Sequence, residues 1–331
     1  MPDILLFQPG ALGDSFFTSA LADLIKRDIP ESRVFFYTTG ASASMVKDNP
    51  NIDGFLIHSG NLIKDISTLR KRKFDYLLDT WAIGDAYYRV FFAKASEKIA
   101  IRKKDSEKYL VPVVYTKQVP FGRYGYVFWD RMELLRPLGI DVSRYIKSEL
   151  PVYHISEEVK EKVKGLLTEK GLDSYVLLAP KGMWKTKDIP VNLAAGIVDI
   201  LERDFGLKVV LSAPPSDRDY LEEIARYTQG SPEIITLSDI REFGALIYFS
   251  KHLISVESLP YHLAVGLRKS ATVVLGGYPV WKPENYPDLE TVNIDMDCKF
   301  CTKHTCPRGD YRCLVEITPE MIITKAERHL V

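Results

Sequence analysis

The sequence predicts an α/β protein built from two doubly wound parallel sheets, and three observations lead to that prediction. The chain has 331 residues, more than one hydrophobic core commonly serves, so two domains are expected. Apolar runs of strand length alternate with helical patterns, which is typical of βαβ units. Residues 139–156 lose this periodicity and include Pro151. We therefore expect domains over residues 1–150 and 151–331.

The expected strands follow one another in both halves of the chain. The first half contains ILLF (4–7), RVFFY (33–37) and YLLD (76–79). The second half contains YVLLA (175–179), LKVVLSA (207–213), EIITL (233–237), HLISV (252–256) and ATVVLGG (271–277). Apolar residues from Phe16 to Ile25 recur with helical spacing and predict one helix that ends before Pro30. Functional side chains are expected in the strand-to-helix turns, at a cleft where ligands of such sheets bind.

Composition and charge exclude several classes of protein. Hydrophobic residues make up 46% of the chain and charged residues 27%, which are ordinary values for a folded soluble protein. Lys plus Arg and Asp plus Glu both number 44, so the net charge gives no reason to expect a nucleic-acid partner. The sequence has no apolar run long enough for a membrane span and opens on a strand-like DILLF. We expect a cytoplasmic protein.

The turn after the first strand, QPGALGD, ends on an acid. Gly10 and Gly13 permit positive φ or a close backbone approach, and Asp14 follows at the expected N-cap of the helix. Structural capping is one interpretation of Asp14. The other is a general base, because a carboxylate at a sheet edge can take a proton from an attacking hydroxyl. The turn fits neither a Walker A loop nor the G-x-G-x-x-G motif, so its sequence does not indicate a phosphate-binding role.

A lysine-rich loop follows the first strand of the second half. The stretch LLAPKGMWKTKDIP (177–190) contains Lys181, Lys185 and Lys187. These cations are either solvated surface lysines or contacts for a phosphorylated ligand.

A later turn has the character of an anion site. The stretch ISVESLPYHLAVGL (254–267) follows a strand, with Ser258 as the expected helix cap and His262 one turn further along. A helix N-terminus in this place can hold a diphosphate. His262 taken alone is more often a packing residue than a catalytic one.

These motifs together resemble bacterial glycosyltransferase family 9, the ADP-heptose:lipopolysaccharide heptosyltransferases. The resemblance runs nearly end to end and is strongest in ILLFQPGALGDSFFTSALADLIKR, LLAPKGMWKTKDIP, KVVLSAPPSDRDYLEEIA and LISVESLPYHLAVGLRKSATVVLGG. It implies a GT-B fold, in which two Rossmann-like domains, acceptor-binding then donor-binding, face a central cleft. It also implies an inverting transferase that moves a sugar, heptose from ADP-heptose, to a saccharide acceptor such as the lipopolysaccharide inner core.

The resemblance also implies roles for individual residues. Asp14 closes the P-G-A-x-G-D turn and takes the place of the family's general base. The family's D-S-G-P-x-H motif reads E-S-L-P-Y-H here, so Glu257 replaces an aspartate and Leu259 replaces a glycine. The larger Leu259 brings the donor's identity into question, because glycine allows close approach to backbone N–H groups. The implied donor-binding residues are Lys187, Asp217, Glu257, Ser258 and His262.

The partners follow from the same resemblance. We expect a nucleotide-sugar donor, an anionic glycolipid or saccharide acceptor, peripheral contact with the inner membrane and no cofactor for catalysis. Three positively charged stretches, residues 68–76, 100–108 and 121–131, are either solvated faces or part of the acceptor site. Two other functions stay open, a nucleotide-sugar epimerase with the same architecture and an inactive relative that acts as a binding protein.

Four cysteines are concentrated in residues 298–313 with the spacing C-x2-C-x4-C-x6-C. Such a spacing favours a closed structural site for Zn or Fe, with His304 as a substitute ligand. Two disulfides or four free thiols are the alternatives. The candidate metal ligands are Cys298, Cys301, Cys306 and Cys313.

Overall fold

The computed structural model describes residues 1–102 and 111–331. Within these residues the chain divides into two compact units. The first unit comprises residues 1–154 together with 283–285, and the second comprises residues 155–282 together with 286–331.

The first unit contains a six-stranded parallel sheet with the order β3-β2-β1-β4-β5-β6. Its central strand, β1, is buried along its whole length and pairs with β2 on one side and β4 on the other. Continuous apolar burial of this kind is typical of a parallel sheet covered on both faces. The strands are β1 (Asp3–Phe7), β2 (Arg33–Thr38), β3 (Gly54–Ile57), β4 (Phe74–Asp79), β5 (Ala95–Arg102) and β6 (Lys117–Pro120).

Helices connect these strands. They are α1 (Leu12–Ser19), α2 (Leu21–Asp28), α3 (Gly40–Val46), α4 (Leu62–Leu69), α5 (Ala86–Phe92), α6 (Val111–Val114) and α7 (Val127–Met132). Two short 3₁₀ segments follow α7, and Gly139 ends the first of them in a left-handed conformation that suits glycine. The single helix expected from Phe16 to Ile25 is thus two helices that join at Ala20.

The second unit repeats the architecture with the strand order β12-β11-β10-β7-β8-β9. Its strands are β7 (Tyr175–Ala179), β8 (Lys208–Leu211), β9 (Glu233–Ile234), β10 (His252–Val256), β11 (Ala271–Val274) and β12 (Leu289–Val292). Its helices are α8 (Glu157–Glu169), α9 (Val191–Phe205), α10 (Arg218–Tyr227), α11 (Ile240–Phe249), α12 (Leu259–Gly266), α13 (Arg312–Val315) and α14 (Pro319–Ala326).

One hydrophobic core of the second unit lies between the sheet and the helices α9 and α14. Val176 and Leu178 of β7 and Ile254 of β10 are fully buried there, in the same cluster as buried residues of both helices. Side chains of this size each contribute roughly 1.5–3 kcal/mol when removed from water. The rigid sheet therefore supplies a fixed base for the loops that follow its strands.

The predicted fold class is confirmed, since both units are doubly wound parallel sheets with flanking helices. The expected strands at 175–179 and 252–256 match β7 and β10 residue for residue. Among the residues that the structure describes, no helix is long and apolar enough to cross a bilayer.

Candidate active site

The order of strands in the first unit reverses between β1 and β4. Chain connections leave these two neighbouring strands in opposite directions, which makes a topological switch point in the sheet. Ligands of open α/β sheets bind in the crevice outside the carboxyl ends of the strands at this point. The turns after β1 and β4 therefore form the candidate site of this unit.

These two turns contact each other closely. A Cβ placed on Gly10 would lie 3.2 Å from the Trp81 ring, so the turn after β1 approaches the turn after β4 with little space between them. Ala11 and Ala82 have positive φ angles of 37° and 46°. Non-glycine residues in this region cost about 1–3 kcal/mol each and are found mainly where the surrounding structure holds them.

A buried hydrogen-bond network supports the first turn. The Gln8 amide donates to the Gly10 carbonyl over 3.1 Å, and the Ser15 hydroxyl reaches the same oxygen over 3.1 Å. The Thr80 hydroxyl hydrogen-bonds to Gln8 and, at 3.1 Å, to the Thr18 hydroxyl. Because each of these groups has a partner, the backbone that leads into α1 is held in one conformation.

Asp14 lies in the first turn of α1, and its side chain is paired with a buried arginine. The Arg131 guanidinium donates to Oδ1 of Asp14 and also to the Asp14 backbone carbonyl. The side chain of Asp14 is 38% exposed, whereas that of Arg131 is 3% exposed. The carboxylate thus faces solvent on one side and a buried cation on the other.

The expectation that Asp14 caps the helix is wrong. The N-cap residue is Ala11, three positions earlier, and no side chain caps the helix there. The helix begins earlier because Ala11 adopts a non-helical conformation directly before Leu12. Gly13 consequently lies within the first turn of α1, and capping no longer accounts for an acid at position 14.

Burial lowers the pKa of the Arg131 guanidinium, while the Asp14 carboxylate acts in the opposite direction. An arginine this deeply buried needs a counter-charge, because an unpaired buried charge is strongly destabilising. Asp14 supplies that charge. The two side chains are therefore coupled, and changing one alters the environment of the other.

The second unit has its own switch point, between β7 and β10. Lys187 lies in the loop after β7, and Glu257 directly follows β10. Their side chains form an ion pair and are only 13% and 12% exposed. The Tyr278 ring lies 4.2 Å from the Lys187 ammonium, at a distance suited to a cation–π contact.

Burial raises the pKa of the Glu257 carboxyl, and the hydrogen bond from Lys187 opposes that effect without cancelling it. The Tyr261 side chain also acts to lower the pKa of this carboxyl group. A buried lysine and a buried acid at a switch point form a site in which an incoming anion can replace the acid as the partner of the lysine.

The other predicted donor residues follow β8 and β10, the two strands that neighbour β7 in the sheet. Ser258 is the N-cap of α12, although its side chain makes no capping hydrogen bond. His262 is in the second turn of α12, with its ring 3.8 Å from that of Tyr261. Asp217 ends a short 3₁₀ segment that follows β8, and β8 is the strand beside β7 in the sheet. Leu259 is the first residue of α12 and is half-buried.

The two further lysines of the loop after β7 have different surroundings. Lys181 pairs with Asp188 at 2.6 Å, which ties the two ends of the loop together. Lys185 is exposed. Of the three lysines considered as phosphate contacts, Lys187 is thus the one most enclosed by the site.

The four cysteines are free, half-buried thiols that line one cavity. The disulfide alternative is therefore wrong. Within residues 1–102 and 111–331, no cluster of His, Cys, Asp or Glu side chains is arranged to hold a metal ion, so the expected Zn or Fe site has no support. Two of these thiols have close polar neighbours: Cys298 lies 3.6 Å from the Met296 sulfur, and Cys306 lies 3.7 Å from an Asp310 oxygen.

The segment 298–313 instead packs against the loop that carries Lys187. The Thr186 hydroxyl donates to the Lys303 carbonyl over 2.6 Å, and the Gly277 amide donates to the Thr186 carbonyl over 2.9 Å. The rings of Trp184 and His304 stack with centroids 3.5 Å apart. The cysteine-containing segment therefore helps to fix the conformation of this loop.

The described residues of the positively charged stretches have different surroundings. In residues 68–76, Arg72 lies just before β4 and pairs with Asp3 at 2.8 Å. This pair is at the opposite end of the strands from Asp14. Of residues 100–108, the last six lie outside the described residues. In residues 121–131, Arg131 is the partner of Asp14. Sequence patterns missed this pairing because the two residues are 117 positions apart.

Comparison with known proteins identifies solved structures that share this fold. No family model matches the chain. Its fold matches a glycosyl transferase family 9 structure from Veillonella parvula DSM 2008, with a TM-score of 0.84, 18% identity, and coverage of 99% of this chain and 97% of that one. The chain therefore shares the fold of that structure.

More particular likenesses are to heptosyltransferases. The protein named lipopolysaccharide heptosyltransferase 3 from Escherichia coli (strain K12) is 24% identical, and the alignment covers 96% of this chain and 95% of that protein. The structure described as E. coli ADP-heptose lps heptosyltransferase II has a TM-score of 0.81 at 16% identity, with coverage of 99% and 98%. The resemblance to glycosyltransferase family 9 seen in the motifs is thereby confirmed.

Proposed function

We propose that this protein is an inverting glycosyltransferase that moves heptose from ADP-heptose to a saccharide acceptor of the lipopolysaccharide core. One observation carries the proposal. Each unit places a charged pair, Asp14–Arg131 or Lys187–Glu257, at the switch point of its own sheet. Named heptosyltransferases that match the chain along almost its whole length support the same activity.

The second unit binds the donor in this proposal. Lys187 is the cation for the diphosphate, and it exchanges Glu257 for phosphate oxygens when the donor enters. The N-terminus of α12 adds backbone N–H groups and a favourable dipole near Ser258. Glu257, once released from Lys187, accepts hydrogen bonds from sugar hydroxyls, and His262 and Asp217 complete the contacts.

The first unit binds the acceptor. Asp14 takes the proton from an acceptor hydroxyl while the acceptor oxygen bonds to the anomeric carbon and the bond to the diphosphate breaks. This single displacement inverts the anomeric centre. A positioned base of this kind contributes about 10²–10⁴-fold to the rate, and a fixed cation at the leaving diphosphate adds several kcal/mol of transition-state stabilisation.

An acceptor of this class is an anionic glycolipid, and we propose that the protein meets it at the surface of the inner membrane. The acceptor's saccharide is joined to a lipid, and that lipid holds the acceptor at the membrane. The donor itself is a water-soluble nucleotide sugar, so only the acceptor step requires that surface.

Calorimetric titration tests the donor assignment. ADP-heptose should bind more tightly than GDP-, UDP- or dTDP-linked sugars. Lys187→Met should weaken binding by about ten- to a hundredfold, since it removes a charge-assisted contact worth roughly 1.5–3 kcal/mol. Lys185→Met is the matched control, because this exposed lysine lies two positions away in the same loop.

The outcomes separate the alternatives. Equal losses in both lysine variants would refute the role of Lys187. Absence of binding to any nucleotide sugar would favour an inactive binding protein, for which Leu259 is the best support. Isomerisation of the donor without an acceptor would indicate an epimerase, which the named transferase relatives do not favour.

A further inference from the structure

Arg131 meets Asp14 through two separate contacts. One guanidinium nitrogen, Nη2, donates to Oδ1 of the Asp14 carboxylate. The other, Nη1, donates to the Asp14 backbone carbonyl and, over 3.1 Å, to the Thr18 hydroxyl. We propose that Arg131 is a positioning residue that aims the Asp14 carboxylate at the acceptor hydroxyl. This inference rests on the proposed function, in which Asp14 is the general base.

The geometry of the guanidinium explains how the aiming works. Its two terminal nitrogens lie in one plane at a fixed separation, so contacts to the backbone and to the side chain of one residue fix that side chain's torsions. The contact occupies Oδ1. Oδ2 accepts no hydrogen bond from any residue that the structure describes and belongs to a side chain that is 38% exposed. Oδ2 is thus the oxygen left for the acceptor.

Arg131 is itself firmly held. It lies on α7 between the fully buried side chains of Trp129 and Met132. The Trp129 indole donates to the Glu149 carbonyl over 2.7 Å, which anchors this helix. The Phe17 ring lies 6.0 Å from the guanidinium carbon. Because α7 is held in place, Arg131 holds the Asp14 carboxylate in one orientation.

A contact that served only to stabilise the fold would not require an arginine and an aspartate. Well-packed hydrophobic side chains can replace a buried ion pair with no loss of stability, and often with a gain. An arginine that contacts both the backbone and the carboxylate of the predicted base instead supplies orientation. Small errors in the position of a catalytic group are costly, since a displacement of about 1 Å can reduce a rate 10²-fold.

Two variants of Arg131 test the proposal in the full chain. Arg131→Lys keeps the positive charge but can make only one of the two contacts, so kcat should fall about thirty- to a hundredfold. The KM for the donor should stay within about twofold, because the donor is bound by other residues. Arg136→Lys is the matched control: it lies five positions further along, pairs with Glu133 at 2.9 Å and is 43% exposed. This control should keep full activity.

Rescue by guanidinium distinguishes positioning from folding. Arg131→Ala leaves room for a free guanidinium ion, and low, non-denaturing guanidinium chloride should raise its kcat severalfold, whereas sodium chloride should not. The same salt should not restore Asp14→Asn. Thermal unfolding of each variant, measured in parallel, shows whether the folded fraction changes.

Two results would overturn the inference while leaving the transferase assignment intact. One is an unchanged kcat in Arg131→Lys; the other is a loss of activity that follows only the folded fraction and ignores guanidinium. A wild-type protein that transfers sugar from no nucleotide sugar would instead refute the proposed function, and with it the role of Arg131.

Discussion

The proposed chemistry depends most on Asp14 and Lys187, and each of them is paired with an oppositely charged side chain, Arg131 or Glu257. The position of Asp14 shortly after β1 could be predicted, because a glycine-rich turn between an apolar strand and a helical pattern is a local signal, although Asp14 lies in α1 and does not cap it. Its partner could not, since Arg131 is distant in the sequence and is brought close only by the packing of α7 against α1. The same holds for Lys187 and Glu257, which are 70 positions apart.

Asp14→Asn is expected to affect both catalysis and stability. Turnover should fall about 10²–10⁴-fold, because the amide cannot accept the acceptor proton. The free energy of unfolding should also fall by about 2–3 kcal/mol, since the buried Arg131 loses its counter-charge. Initial rates and urea unfolding measure the two effects.

A double variant separates these effects. Asp14→Asn combined with Arg131→Met removes the unpaired charge, so stability should recover while turnover stays low. Recovery of turnover in the double variant, or full turnover in Asp14→Asn alone, would show that Asp14 is not the base.

At the scale of elements, fully buried strands were predictable and partly buried strands mostly were not. Sequence patterns predicted β1, β7 and β10, and also the edge strand β9, but missed β3, β5, β6 and β12, which are only partly buried. The break between α1 and α2 was missed as well. The Thr18 hydroxyl and Arg131 both contact the Asp14 carbonyl, and the Ser19 hydroxyl contacts that of Phe16. Such side-chain contacts bend helices and leave little trace in hydrophobic spacing.

The turn after β11 should be sensitive to a single methyl group. A Cβ on Gly276 would overlap the Thr186 carbonyl in the loop that carries Lys187. Gly276→Ala should therefore weaken donor binding and destabilise the protein by roughly 1–3 kcal/mol. Gly165→Ala is the control: it lies in α8 with open space around its Cβ and should stabilise the helix by about 0.5–1 kcal/mol. Equal donor affinity in both variants would contradict the proposed coupling.

His252 on β10 should make the stability of the second unit depend on pH. Burial lowers the pKa of His252 to about 3, and its ring nitrogens lie 2.8 Å and 2.9 Å from the Ser270 and Thr272 hydroxyls. The folded state keeps this ring neutral, whereas the unfolded chain binds a proton below pH of about 6.5. The contribution of His252 is thus present above that pH and is lost as the pH falls towards 3.

The loss between pH 7.5 and pH 5 should be about 2 kcal/mol from this group. Urea unfolding of the wild type and of His252→Gln at the two pH values measures it. The variant should be less stable at pH 7.5 but lose about 2 kcal/mol less on acidification. An identical pH dependence in both proteins would contradict the assignment.

At the scale of the whole molecule, two doubly wound sheets could be predicted because the alternation of strands and helices extends along the chain. The candidate site followed from the same rule, since ligands of these sheets bind in the turns after the strands. The cysteines were harder to interpret. Their spacing suggested a metal or disulfides, but spacing does not fix where side chains point, and the free thiols instead belong to a segment that packs on the Lys187 loop.

The most direct measurement is a transfer reaction with the purified full chain, ADP-heptose and a deacylated lipopolysaccharide core oligosaccharide. We predict release of ADP that requires both substrates, a product heavier by one heptose, and an anomeric configuration opposite to that of the donor by NMR. Asp14→Asn should reduce both signals by about 10²–10⁴-fold. A glycosidic product with the donor's configuration would contradict the single displacement by Asp14, and the absence of any product would contradict the transferase assignment itself.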